Sequence, residues 1–530
     1  MAAVPVHEPA TTSSGGTTEE APRPGPALFR RRVVWLSALV AVATVVAQYV
    51  IMPPPLYFDP YYVWEAARRW PDVPLDQWPF NEVPHQVTRL GLVLPARVIQ
   101  DLLGPGQVAY FTIAALGGCV FFVGCYLAVR SLFGDVAGVA SVLVLLVHPF
   151  FTGTNPYGHE LTWSLGVMLP DMPGAGLFAA GMAALVVASR RAGSAQTRLL
   201  LAAGVCFGSA FLVREFLALL FPAIPIFLYL LRVTWRRNVV IALPMIGILI
   251  ASLIHNAIVW GGPLAGLVSA ATHGGKSYDV VTRMLALNSF GRAMSDWSPL
   301  GWLFIAALAL NIVGWAITRD RRLALTLTWF LTLAVPLTLR AGVIDPDEIS
   351  IRAWLPRYWF AVLPALLAGG FGSLILLWRA LPARWATHRR PRALMAALVA
   401  VIVSVYVVQA VREVPELPRD KAWGELRGWL KGRDDIPTIW ADRRLAQTMT
   451  FYTRSLWGTP QWHGDIEDFP HTAGTLPSGA YQAPMLYTRW RGQESQIAGG
   501  ARPSQETGWQ LLWRSSDGVL ELWDYQAPPA

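Results

Sequence analysis

The run LLLAAGVCFGSAFLVREFLALLFPAIPIFLYLL, Leu199 to Leu231, sets the arrangement of this chain. It is apolar except for Arg214-Glu215 at its centre, and Arg clusters bound it on both sides: Arg190, Arg191 and Arg198 before it, Arg232, Arg236 and Arg237 after it. Basic residues collect on the cytoplasmic side of membrane spans. Both ends of the run are therefore expected on one side, which a single crossing cannot give, so the chain is expected to turn back at Arg214-Glu215. An ionisable pair at membrane depth is costly, and is retained mostly where it faces a cavity, a partner or a charged ligand. Each half holds about 15 residues, or roughly 22 Å of helix, short of a hydrocarbon core of ~30 Å. The vertex is accordingly expected below the membrane surface, lining a polar cavity.

The rest of the chain has the same character. Of its 530 residues 54% are hydrophobic and only 15% charged, and the mean hydropathy is +0.40. This composition excludes an ordinary soluble protein. The expected fold class is mainly α, a polytopic membrane protein of about eleven spans: Val33–Met52, Val108–Val129, Val136–Phe151, Met172–Ser189, Leu199–Val213, Phe216–Leu231, Val239–Val259, Pro299–Thr318, Leu323–Leu339, Tyr358–Trp378 and Ala393–Val411. The net charge of +9 resides in Arg clusters between spans, so membrane topology accounts for it and no nucleic-acid partner is implied. Those clusters place the N-terminus in the cytoplasm and, with an odd number of spans, the C-terminus outside the plasma membrane. Cys119, Cys125 and Cys206 suggest no disulfide framework. Residues 1–32 lack the pattern of a cleaved signal peptide and are expected to be a disordered cytoplasmic tail, followed by a transmembrane catalytic part over 33–412.

Residues 413–530 are polar, punctuated by Pro, and hold nine of the 24 Trp. They are expected to form a small extracytoplasmic α/β domain, with a helix at Lys421–Leu430, a strand at Pro437–Ala441, a helix to Tyr452 capped by Asp442, and a hairpin from Trp509 to Tyr525. Those Trp could stack on sugars, but most are expected in the core. In the first outer loop, Asp59 to Trp70 and His85 to Leu103 are expected as interfacial helices.

The chemistry-bearing residues cluster on the outer side. No nucleotide-binding Gly-rich loop, HExxH or paired CxxC is present, so a reaction on that face needs a substrate that arrives already energised. Asp59, in Phe58-Asp59-Pro60-Tyr61-Tyr62, suits a helix cap or first-turn position, and could also accept a proton from a bound hydroxyl. Glu65 reads as a solvated residue of the same helix. Asp171 resembles the cap of a span, and His159-Glu160 could bind a metal or sugar hydroxyls, with simple solvation as the alternative. Arg214 could face a lipid phosphate, or form an internal salt bridge with Glu215. Arg357-Tyr358 is a second phosphate candidate, with interfacial anchoring as the plainer reading. Lys276, Arg283, Arg292, Arg340 and Arg352 are weaker ones.

Taken together and in order, Phe58-Asp59-Pro60-Tyr61-Tyr62, Pro170-Asp171-Met172-Pro173, Leu212-Val213-Arg214-Glu215 with Pro222 and Pro225, and Arg357-Tyr358 with Pro364 resemble the GT-C membrane glycosyltransferases that use polyprenyl-phosphate sugars, the group including protein O-mannosyltransferases and lipid A aminoarabinose transferases. Trp440-Ala441-Asp442-Arg443-Arg444 with Phe451-Tyr452 resembles their soluble tails. The sequence departs from the group where relatives often carry Asp-Glu in the first loop and Asp59 is followed by Pro60. The resemblance implies a polyprenyl-phosphate sugar as donor, with leave for a divalent metal, and a glycan, lipid or protein hydroxyl as acceptor. Arg-, Ala-, Val- and Gly-rich usage suits a high-GC bacterium, for which the resemblance implies mannose or arabinose as the sugar. The implied roles are Asp59 as general base with inversion, Arg214 and Arg357 on the phosphate with Glu215 and Tyr358 beside them, and Asp171, His159 and Glu160 orienting sugar or acceptor. A transporter or flippase is the alternative, but it predicts repeated halves, which the sequence does not display; a scaffold working through its Trp-rich tail is a third reading.

Overall fold

The computed structural model describes residues 26–51, 58–71, 86–152, 165–272, 286–296, 299–339, 343–345, 350–380, 397, 400–405, 407–408, 421–470, 476–489 and 503–526. Seven helical stretches among them are long and apolar enough to cross a membrane: Arg31–Tyr49, Gln107–Phe133, Asp171–Ala188, Gly193–Val213, Trp235–Val259, Arg321–Leu339 and Pro356–Arg379. Three shorter apolar helices, Asp135–Leu146, Glu215–Leu230 and Trp302–Thr318, lie where the sequence suggests further spans. The protein is thus a multi-pass membrane protein with a small C-terminal α/β part.

The helices follow in order: α1 (Pro26–Ile51), α2 (Phe58–Arg69), α3 (Leu90–Leu103), α4 (Gln107–Phe133), α5 (Asp135–Leu146), α6 (Pro149–Thr152), α7 (Asp171–Ala188), α8 (Gly193–Val213), α9 (Ile224–Leu230), α10 (Asn238–Val259), α11 (Ala265–Thr272), α12 (Ser289–Ser295), α13 (Trp302–Thr318), α14 (Arg321–Leu339) and α15 (Leu363–Ala380). The spans alternate in direction, so one end of the bundle gathers the Arg-rich turns. The other, called here the site face, gathers the start of α4 and α7 and the end of α8. Small residues allow close approach of α4 and α7: a Cβ at Gly124 would lie 2.2 Å from the Gly176 carbonyl oxygen, and one at Gly176 would lie 2.4 Å from Phe121 Cα. Around this contact Phe121, Phe122, Phe151, Phe178 and Phe207 form a fully buried core.

The hairpin through Arg214 differs from expectation in its lengths. α8 has 21 residues, roughly 31 Å, because it opens at Gly193 and takes in the polar Ser194 to Arg198. The returning half is a 3₁₀ helix over Glu215–Ala223, nine residues, followed by α9 of seven. At ~2.0 Å per 3₁₀ residue and ~1.5 Å per α residue it spans roughly 28 Å despite its few residues. Pro222 and Pro225 lack the N–H groups that regular α turns would use, consistent with the tighter winding. The added α8 residues lie at its Arg-rich end, so the two apolar halves place the vertex roughly 22 to 28 Å from that end, close to the outer edge of a ~30 Å hydrocarbon core.

The C-terminal part forms a five-stranded sheet in the order β4-β3-β5-β7-β6. β3 (Thr438–Asp442) runs parallel to β4 (Asp465–Phe469) and β5 (Met485–Thr488), while β7 (Leu520–Tyr525) pairs antiparallel with β5 and with β6 (Trp509–Arg514). Two helices, α16 (Lys421–Leu430) and α17 (Arg443–Tyr452), cover one face. Asp442 caps α17 as expected, accepting from the backbone N–H groups of Arg444 at 2.9 Å and Leu445 at 3.3 Å. A two-stranded ribbon, β1 (Val343–Asp345) with β2 (Ser350–Ile351), has no counterpart in the sequence reading.

This domain is not free of the bundle. Tyr62, Val63 and Trp64 of α2 and Tyr110 of α4 share one apolar cluster with Trp423, Phe451 and Tyr452. Trp64, Tyr110 and Phe451 meet edge to face, their centroids 5.4 to 6.1 Å apart. Arg427 donates to Gln107 Oε1 at 3.1 Å and the Val108 N–H to the Leu456 carbonyl at 3.0 Å. The domain thus sits on the site face, whereas α15 ends on the Arg-rich face. That change of side is what an eleventh crossing between them would produce, and residues 400–405 between them are helical.

Candidate active site

The site is built around the end of α8. Arg214 leaves the helix in an extended conformation, φ −148° and ψ 102°, and Glu215 starts the 3₁₀ helix. Successive side chains on extended backbone point to opposite sides, so the two neighbours part company rather than pair with each other. Arg214 Nε lies 3.1 Å from Asp171 Oδ1, while Glu215 Oε2 accepts from Arg89 Nε at 3.3 Å. The internal Arg214–Glu215 bridge is thereby replaced by two crossed pairs that tie α8 to α7 and to the start of α3.

Burial makes these pairs consequential. Asp171 is 4% exposed, Arg214 7% and Arg89 2%. Asp171 is the first residue of α7, where a carboxylate suits the helix dipole, yet it serves more than a helix end, because Arg214 is its ion-pair partner. The pair is close but misaligned: neither Arg214 Nε nor Asp171 Oδ1 has a hydrogen-bond partner among the described residues. Buried polar atoms in that state carry an energetic cost.

Above the pair lie aromatic rings and a second cation. The Arg214 guanidinium carbon is 5.0 Å from the ring centroids of both Phe216 and Tyr358, and these rings are 5.7 Å apart. Arg357 approaches Tyr358 as well, at 5.8 Å. Such cation–π contacts hold a guanidinium in place without using its N–H donors. The 3₁₀ turn Pro356–Val362, leading into α15, brings Arg357 and Tyr358 to this point.

Asp171, Arg214, Glu215, Arg357 and Tyr358, spread over nearly 190 positions of sequence, are therefore gathered at one end of the bundle. Asp59 lies in the first turn of α2, but its side chain is outside the described residues, as are His159 and Glu160. Lys276, Arg283 and Arg340 are also outside them, and so is the Arg352 side chain. Arg292 is engaged elsewhere, 3.4 Å from Asp296 and 3.9 Å from the Trp354 ring centroid. Among the described residues no three His, Cys, Asp or Glu side chains gather as metal ligands would.

Two residues change their meaning. Glu65, read as solvated, is 8% exposed and holds Arg68 and Arg69. Burial by itself would raise its pKa, but hydrogen bonds and charge from Arg68 and Arg69 outweigh that and hold the carboxyl below its ordinary range. The helix face it occupies is covered by the rest of the fold, which α2 alone does not reveal. Arg89 was missed as a site residue; its one local signal is Gly91, where a Cβ would come within 2.8 Å of the Val213 backbone nitrogen. Only glycine lets α3 approach α8 closely enough for Arg89 to reach Glu215.

This arrangement of spans and C-terminal domain is similar to that of solved structures of ArnT and of an oligosaccharyltransferase. Residues 94–260 match the profile of a family described as dolichyl-phosphate-mannose-protein mannosyltransferase. Among solved structures, that of ArnT from Cupriavidus metallidurans bound to undecaprenyl phosphate is 15% identical, with a TM-score of 0.53 over 94% of this chain and 98% of that one. Its apo state gives 15% and 0.51, covering 90% and 100%. The oligosaccharyltransferase of Archaeoglobus fulgidus, in complex with Zn and sulfate, gives 13% and 0.50, covering 92% and 73%. A comparison with curated protein sequences finds no match.

Proposed function

We propose that the protein transfers a sugar, of the mannose or arabinose type, from a polyprenyl phosphate to a hydroxyl of a cell-envelope glycan, lipid or protein on the extracytoplasmic side of the plasma membrane. The observation that carries this reading is the convergence of the half-buried Arg357 and Tyr358 with the buried Arg214 beside Asp171. Two guanidinium groups at the membrane surface suit a lipid phosphate, which they bind through charge-assisted hydrogen bonds. The undirected Nε of Arg214 gives such a ligand a donor to engage, and Asp171 and the two rings fix where that donor stands.

In this reading Asp59, on α2, is the general base. Its carboxylate takes the acceptor proton as the acceptor oxygen bonds to the anomeric carbon and the bond from that carbon to the phosphate oxygen breaks. The anomeric centre inverts and polyprenyl phosphate leaves as an anion. Arg214 and Arg357 stabilise the charge growing on that phosphate, the contribution that usually dominates such steps. A phosphate leaves without a general acid. Glu215 with Arg89 holds the vertex, and His159 and Glu160 orient sugar or acceptor.

The test is turnover by the full chain in proteoliposomes supplied with radiolabelled polyprenyl-phosphate mannose or arabinose and a hydroxyl-bearing oligosaccharide. Release of polyprenyl phosphate with label on the acceptor is the expected result. Movement of intact donor across the bilayer, with no glycosidic bond formed under any donor, would overturn the proposal in favour of a lipid transporter.

A further inference from the structure

The C-terminal domain carries an exposed apolar feature that the reaction does not use. Its turn Ser455-Leu456-Trp457-Gly458 is closed by the Gly458 N–H donating to the Ser455 carbonyl at 2.9 Å, and Ser455 and Thr459 bond to each other on either side of it. Gly458, at φ +95°, supplies the left-handed backbone that the turn requires. At the tip Leu456 is 48% and Trp457 58% exposed. Turn tips of hydrated domains are ordinarily polar. The same domain has one of that kind, Ser515-Ser516-Asp517-Gly518, whose Ser516 and Asp517 are exposed.

The position of the apolar turn explains its composition. The Leu456 carbonyl accepts from the N–H of Val108, the second residue of α4. That helix has 27 residues, roughly 40 Å, so its first turn stands at the interface above a hydrocarbon core of ~30 Å. One turn further along α4, Phe111 meets Tyr49 of α1 edge to face at 6.3 Å, and Tyr49 is 79% exposed. Exposed aromatic side chains at this level are what a membrane–water interface selects. Beside them α3 turns Leu94, Val98 and Leu102, at i, i+4 and i+8, outward at 36%, 55% and 72% exposure, and the chain just beyond α3, at Gly104, abuts the Trp457 carbonyl. The apolar tip, the apolar edge of α3 and Tyr49 thus share one depth.

We propose that this turn is a membrane anchor: Leu456 and Trp457 of the C-terminal domain are seated in the bilayer leaflet on the site face, continuous with the lipid-facing side of α3. The occupant is lipid because the turn is fixed at the level where a span enters the membrane. Burying the two side chains there recovers the free energy that their exposure to water would cost, and holds the domain over α2 and α3 by a contact additional to the shared core. The inference is independent of the reaction proposed above.

The test uses the full chain in phosphatidylcholine–phosphatidylglycerol nanodiscs, with Cys119, Cys125 and Cys206 replaced by Ala. Nitroxide labels are placed singly through Leu456→Cys, Trp457→Cys and Ser516→Cys, and power-saturation spin resonance compares collisions with oxygen, which concentrates in lipid, and with a water-soluble nickel chelate. Labels at 456 and 457 are expected to favour oxygen and the label at 516 to favour nickel. Nickel accessibility at both 456 and 457 equal to that at 516 would overturn the proposal, as would protection of both from either reagent, which would mean that a protein surface covers the turn. Two labelled positions keep the result readable if either substitution alone disturbs folding.

Discussion

Arg89 and Glu215, 126 positions apart in the chain, meet at 3.3 Å in a setting where Arg89 is 2% exposed. The contact fastens the start of α3, in the first loop of the site face, to the vertex that presents Arg214. Removing one partner of a buried pair leaves an uncompensated charge, which typically costs about 3 kcal/mol or more. Arg89→Met and Glu215→Met are each expected to lower thermal stability in detergent sharply, and the double variant to recover much of the loss. Additive losses in the double variant would show that the pair is not coupled.

Gly91 controls the same contact by steric means. With Val213 Cγ2 at 2.6 Å and its backbone nitrogen at 2.8 Å from the position of a Cβ, Gly91→Ala is expected to cost about 1 to 3 kcal/mol as α3 is pushed from α8. Faster hydrogen exchange in residues 86–93 would report the displacement, and unchanged exchange with unchanged stability would count against it.

Much of this architecture is legible in the residues. The Arg clusters around Leu199–Leu231 dictate a hairpin with Arg214 at its vertex, and Lys421–Leu430, the Asp442 cap and the Trp509–Tyr525 hairpin appear where pattern and turn chemistry put them. What is not legible depends on tertiary placement. Which partner Arg214 takes follows from one extended residue at the end of α8, and no local pattern encodes that Glu215 then points to a different helix. Glu65 is buried because other elements close over α2, which its own periodicity does not state. The returning half is longer than its residue count suggests because 3₁₀ winding rises further per residue than an α-helix, although Pro222 and Pro225 hint at it.

The seam between the C-terminal domain and the bundle depends on Phe451, 3% exposed and in edge contact with Trp64 and Tyr110. Tyr110 in turn accepts from the Met168 N–H at 3.1 Å, three residues before Asp171. Phe451→Ala is expected to cost about 3 to 5 kcal/mol and to raise hydrogen exchange in α2 and at Met168 together. Loosening confined to the C-terminal domain would contradict a shared core.

Glu65 gives a pH signature. Its folded pKa lies below the unfolded value of 4.5, with Arg68 and Arg69 outweighing the effect of burial. Such a group contributes stability that is fully present above the unfolded value and is lost as pH falls through the folded one. Thermal midpoints measured from pH 6 downward are expected to fall below about pH 4.5 in wild type, and Glu65→Gln is expected to lose stability at pH 6 and to have a flatter slope. Parallel slopes in the two proteins would show that Glu65 does not set the loss of stability at low pH.

In the proposed reaction Asp59 takes a proton while Arg214 and Arg357 hold the departing phosphate. The most direct measurement compares wild type with Asp59→Asn in proteoliposomes, following both labelled-sugar transfer and binding of the polyprenyl-phosphate donor. Transfer is expected to fall by about a hundredfold or more in Asp59→Asn with donor binding retained, whereas Arg214→Ala is expected to weaken donor binding itself. Wild-type rates of transfer from a normally expressed Asp59→Asn protein would contradict it.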